Sequence, residues 1–128
     1  MKALLDTHTL LWWLDGDEKL SPIAKEWIAE PSHVVLVSAA SAWEIATKVR
    51  IGKLPGAEAV VDSYQDCLKE QGFTPLVITT DHALRAGSLP GPHRDPFDRM
   101  LIAQAQAENI ALISNAVLFD SYGVRRIW

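Results

Sequence analysis

Among its 128 residues the chain has a single cysteine, no apolar run long enough to span a bilayer and no excess of positive charge. One thiol, Cys67, excludes an internal disulfide and the small cross-linked scaffolds that depend on several. Its helical spacing with Val60, Val61, Tyr64 and Leu68 predicts a small core residue. A membrane-spanning helix needs about 20 consecutive apolar residues, and none is present. The N-terminal stretch carries no basic, apolar, small-residue leader and runs directly into Asp6 and Thr7, so the expected location is cytoplasmic. The net charge of −4 argues against simple neutralisation of a nucleic-acid backbone, which normally shows as a basic excess. Missing too are H-x-x-x-H, HExxH and G-x-S-x-G patterns, which removes support for zinc and serine hydrolysis. There is no internal repeat, low-complexity tract or linker.

With nearly half of its residues apolar, the chain is long enough for one well-filled domain over 1–128. Short apolar runs bounded by turn signals alternate with segments of helical period, the pattern of βα units and a parallel sheet. Strands are expected at 3–6, 34–37, 76–78, 111–114 and 124–127. Helices are expected at 7–14, from Ser21-Pro22 onward, and at 39–50, 57–71, 81–87, 96–109 and 118–122. The fold class is α/β.

Three stretches then place carboxylates where such a sheet brings them to one edge: Leu5-Asp6-Thr7, Ser41-Ala-Trp-Glu44 and Asp95-Pro-Phe-Asp98. In open α/β sheets the ligand crevice lies outside the carboxyl ends of the strands. Several acids there repel one another unless a cation sits among them. Without clustered Cys or paired His ligands, that cation is a hard divalent one, Mg2+ or Mn2+. A metal-dependent phosphodiester hydrolase is therefore the leading expectation.

Each acid also has an ordinary explanation. Asp6 at a βα junction is suited to cap the next helix. Ser41 and Glu44 match a capping box, although Ser38 is an equally good cap and would leave Glu44 nearly two turns into the helix with Lys48 at i+4. Asp95 and Asp98 sit at the N-cap and N3 of a helix with Pro96 at N1, so one caps and the other is free; Asp95 is assigned the cap and Asp98 the metal. Lys48, Lys53, Arg94 and Arg99 lie near these acids and are candidates to hold flanking phosphates. Trp12, Trp13, Trp27 and Trp128 exceed what a small core readily hides, which points to a homodimer.

Taken together, LLDTHTLLWWL, SAASAWEIATKVRIGKL, HRDPFDRMLIAQAQ and LISNAVLFDSYGVRRIW resemble the PIN domain, and more closely the VapC-type toxins of bacterial toxin–antitoxin pairs. The resemblance spans almost the whole chain. It implies a three-layer α/β/α sandwich and an Mg2+- or Mn2+-dependent ribonuclease acting on RNA of the tRNA or ribosomal class. It also implies a VapB-like antitoxin partner and a dimeric toxin. The family's three acids fall on Asp6, Glu44 and Asp98 as catalytic and metal ligands. Thr7, Ser114 and Asn115 fall on supporting positions, with Asp95 beside the third acid. The fourth motif departs: where the family commonly carries Asp, this chain has Ala116. The alternative is a PIN-like module that binds RNA or an antitoxin without cutting. A phosphoacceptor domain using Asp6 is a third option, disfavoured by His8 and Asn115 in place of the second acid and the Lys it would want.

Overall fold

The computed structural model describes residues 1–128. Five strands, β1 Lys2–Leu5, β2 Val34–Ser38, β3 Thr74–Leu76, β4 Ala111–Ile113 and β5 Arg126–Ile127, form one sheet in the order β3-β2-β1-β4-β5. Every neighbouring pair is parallel. Seven helices connect them: α1 Thr7–Asp15, α2 Pro22–Ala29, α3 Ala39–Arg50, α4 Glu58–Asp62, α5 Tyr64–Gln71, α6 Thr80–Ser88 and α7 Pro96–Glu108. A 3-10 helix, Val117–Tyr122, leads into β5.

The strands are apolar on successive residues because both faces of the sheet are covered. On one face Ala3, Leu5, Val35, Val37, Ala111 and Ile113 meet Leu10 of α1, Ala24 and Ile28 of α2, Ile45 of α3 and Leu68 of α5. On the other, Leu4, Leu36 and Leu112 stand side by side in register and meet Leu101, Ile102 and Ala105 of α7, with Phe119. The expected three-layer sandwich is what this double burial produces.

The chain builds β1, β2 and β3 outward in one direction, then returns to add β4 and β5 on the opposite side of β1. The reversal lies between β1 and β4. There the loops leaving the two strands diverge and open a crevice at their carboxyl ends. Asp6 directly follows β1 and Ser114 directly follows β4.

Several boundaries move from their expected places. The third strand pairs through Leu36↔Thr74 and Ser38↔Leu76, so it precedes the expected 76–78 segment and carries Pro75 at its centre. Proline is tolerated because β3 is an edge strand and one of its sides needs no donors. The expected helix over 57–71 is two helices, interrupted at Ser63 with φ −122°. Cys67 is consequently only half-buried, and Leu68 fills the core in its stead. Helix α6 opens at a capping box between Thr79 and His82: the Thr79 N–H donates to His82 Nδ1 and the His82 N–H to Thr79 Oγ1, each at 3.1 Å. No helix is long and apolar enough to cross a membrane.

The tryptophans that suggested a dimer find partners in their own chain. Trp12 packs on Trp128 at 5.9 Å between centroids, Trp13 on Phe73 at 6.2 Å, and Trp27 stacks on His33 at 4.0 Å. All four tryptophans are partly buried against the core below the first face. They supply no free surface for a second copy.

Candidate active site

Asp6 occupies the N-cap of α1, yet its carboxylate caps nothing. It is buried and accepts a hydrogen bond from Ser114 Oγ at 2.7 Å. The same Ser114 oxygen receives the Ala116 N–H at 3.0 Å, tying the start of the fourth motif to the first acid. Burial pushes the Asp6 carboxyl up from the usual range, the Ser114 bond draws it back, and Glu44 pushes it up again. Thr7 turns its hydroxyl to Ser41 Oγ at 2.9 Å, joining α1 to α3 beneath the crevice. Asn115 is exposed beside them.

Helix α3 starts at Ala39 because Ser38 caps it, its Oγ accepting the Ala40 N–H at 3.0 Å. Glu44 therefore lies inside the helix and is no capping-box partner. Its side chain is 3% exposed and one oxygen, Oε2, takes Lys48 Nζ at 2.5 Å. The other, Oε1, is buried with no partner at all. A buried carboxylate oxygen without a donor is costly, so this atom is suited to a cation.

At the start of α7, Asp95 accepts the N–H groups of Phe97 and Asp98 at 2.8 and 3.2 Å and so performs the capping. Asp98, freed from that task, contacts His93 Nε2 at 2.9 Å. Burial first, then Asp6, Asp95 and Glu44, raise its carboxyl to about 7. Acids from three separate elements thus feel one another at a single edge of the sheet. As the side chains stand, no three His, Cys, Asp or Glu close into a metal cage. Each carboxylate rests on its own donor: Ser114, Lys48 or His93.

The four basic candidates separate. Lys48 is held on Glu44 and its ammonium is stabilised there, the carboxylate outweighing the burial that opposes the charge. Lys53 and Arg94 are exposed. Arg99 is a correction: its guanidinium donates to the carbonyls of Ala86, His93 and Leu89, so it fastens the loop before α7 and is not free for phosphate. Sequence reasoning treated His93 as an ordinary polar residue near Asp95. Its position five residues before Asp98, across a capped proline turn, was the signal that it reaches the acid. Tyr122 steadies the same loop, accepting the His93 N–H at 3.1 Å. Gly91 passes so close that a Cβ would meet the Tyr122 hydroxyl at 2.8 Å, with a φ of +98° that itself favours glycine.

The chain belongs to the PIN domain family, whose model matches residues 3–122. It is 33% identical over 106 residues to ribonuclease VapC22 of Mycobacterium tuberculosis, covering 80% of this chain and 78% of that one. It is 47% identical over 56 residues to ribonuclease VapC16 of the same organism, a match that spans 38% of that relative's length. Within the family it is a ribonuclease of the VapC toxin type. Solved structures share the fold at lower identity. A VapBC2 complex from Rickettsia felis, bound to a promoter DNA fragment, superimposes with a TM-score of 0.72 at 15% identity over the full length of both chains. VapC20 of Mycobacterium tuberculosis, described as cleaving the sarcin-ricin loop, does so with 0.70 at 15% over 95% of each.

Proposed function

We propose that Asp6, Glu44 and Asp98 bind Mg2+ or Mn2+ and hydrolyse RNA phosphodiesters of the tRNA or ribosomal class. The observation that carries this reading is the mutual strain of the three acids: Asp98 raised to about 7 by its neighbours, beside a buried and unpartnered Glu44 Oε1. Oxygen donors alone, without sulfur or paired imidazoles, suit a hard divalent cation. Such a cation, when bound, supplies water activation and neutralises charge at the reacting phosphate.

The chain's own residues do the rest. Ser114 orients Asp6 by its 2.7 Å bond. Glu44 Oε1, with no competing donor, accepts a proton from the attacking water or binds the cation directly. Lys48, Lys53 and Arg94 hold flanking phosphates, and Asp95 fixes α7 so that Asp98 faces the crevice.

A VapB-like antitoxin is the proposed partner, and a second copy of the chain the proposed companion. Ile23, Val77, Leu84, Val117 and Leu118 are large apolar residues left exposed for these contacts.

The test is RNA cleavage with and without Mg2+ or Mn2+, by the wild-type chain and by Asp6→Asn and Asp98→Asn. Cleavage that needs the cation and vanishes in both variants supports the assignment; unchanged cleavage in either removes it. One observation favours the second reading, binding without cutting: Ala116, tethered to Asp6 through Ser114, offers no carboxylate. Asp120 does not replace it, since Arg126 holds it at 3.0 and 3.3 Å. A wild-type chain that binds RNA without cutting it, and an Ala116→Asp variant that cuts, would establish that reading.

A further inference from the structure

Trp43 is the tryptophan the fold does not put away. It is 62% exposed, whereas the other four are partly buried against the core. Its one aromatic neighbour is Phe97, 4.9 Å away between centroids and nearly perpendicular at 79°. Trp43 directly precedes Glu44 and Phe97 directly precedes Asp98. The aromatic pair therefore stands beside the acids, contributed by the same two helices.

Between α3, α6 and the start of α7 the pair borders a cavity of about 210 Å3, lined also by Ala40, Ile78, Gly87 and Met100. That is smaller than the roughly 300 Å3 and upward that a drug-sized ligand fills, and matches a single ring system. A protein partner needs an extended face, on the order of 800 Å2 per side, which one small cavity does not provide. Arg99 reaches the rim, but its donors are engaged by three carbonyls. The cavity thus offers π faces and apolar walls with little to read a polar edge. Gly87 leaves space open, with nothing within 4 Å of where a Cβ would stand.

We propose that Trp43 and Phe97 form a stacking subsite for one unpaired nucleobase next to the phosphate being cut. This rests on the reading of the acids as a nuclease centre, and it adds a substrate requirement: the RNA is single-stranded or looped there, with one base turned out of its stack. Stacking on an aromatic face is tolerant of base identity, so the subsite selects for an accessible base more than for a particular one.

The experiment measures binding of ten-nucleotide single-stranded RNAs by fluorescence anisotropy in EDTA, with an abasic position walked along the strand. Trp43→Ala is expected to weaken binding of the intact RNA about tenfold, within the range of single stacking contacts, and Trp43→Phe to retain most of it. One abasic position should weaken the wild-type chain to the same degree and leave Trp43→Ala unaffected. Mn2+ affinity and melting temperature should be unchanged in Trp43→Ala, because the residue is exposed and is no ligand. Equal binding by the wild type and Trp43→Ala, with the RNA bound by both, overturns the subsite and leaves the nuclease reading standing. Loss of antitoxin binding with RNA binding intact also overturns it and gives the surface to a protein. A wild-type chain that neither binds nor cuts RNA removes both.

Discussion

Asp98 shows how function at a single residue opposes stability. Its carboxyl ionises near 7 in the fold and near the usual 4 in the unfolded chain, so the folded state holds the extra proton between those values. Stability from this group is full below about pH 4 and is lost as the pH rises toward 7. With the side chain 24% exposed, the loss at neutral pH without metal is on the order of 2 kcal/mol. Asp98→Asn should therefore melt several degrees higher than the wild type at pH 7.5 in EDTA and show little difference at pH 4. A variant less stable at pH 7.5 would mean the carboxylate is already well compensated. Lys48 is the opposite kind of neighbour, a resident cation 2.5 Å from Glu44 Oε2 that competes with metal for that oxygen. Replacing it by Met should tighten Mn2+ binding several-fold in calorimetry while weakening RNA binding, since one charge is removed from both balances. Weaker Mn2+ binding would show that Lys48 organises Glu44 for the metal instead.

At the scale of elements, two helices are aimed by their caps and one loop by an arginine. Ser38 starts α3 early enough to carry Glu44 into the crevice, and Asp95 caps α7 so that Asp98 has no capping duty. Both were legible beforehand, because cap residues beside Pro or just after a strand have few other uses. The clasp of Arg99 was not legible. Its three acceptors are carbonyls at positions 86, 89 and 93, and carbonyls leave no trace in side-chain pattern. Charged hydrogen bonds of this kind contribute about 1.5–3 kcal/mol each, although exposure and relaxation reduce their sum. Arg99→Ala should lower the melting temperature by several degrees and reduce RNA cleavage, because His93 and the approach to Asp98 hang from the same loop. A full loss of cleavage with unchanged melting would restore the arginine to a phosphate-binding role.

Over the whole molecule, metal and fold are linked. A cation that binds the folded chain alone stabilises it by about 2.7 kcal/mol at a hundred times its dissociation constant. Adding Mn2+ should raise the melting temperature at pH 7.5, and EDTA should reverse the rise. In Asp98→Asn the rise should largely disappear. A shift of equal size in that variant would place the metal elsewhere. The dimer has lost its original support, since Trp12, Trp13, Trp27 and Trp128 pack within the chain. Light scattering at tens of micromolar, a range suited to ordinary association strengths, decides whether the remaining apolar residues make one.

Local chemistry alone determined the parallel α/β class, the helix starts at Ser21, Ser38 and Asp95, and the three acids, because caps, prolines and apolar periodicity act over a few residues. The resemblance added the family and the meaning of the fourth motif. Only the tertiary structure decided the order β3-β2-β1-β4-β5, which opens the crevice between β1 and β4 and brings Ser114 to Asp6 across 108 positions of sequence. It likewise decided that Arg99 clasps a loop, that His93 rests on Asp98, and that Trp43 stays in solvent while four tryptophans find partners. Which side chains meet across a sheet depends on strand order and register, and these depend on the packing of every layer at once.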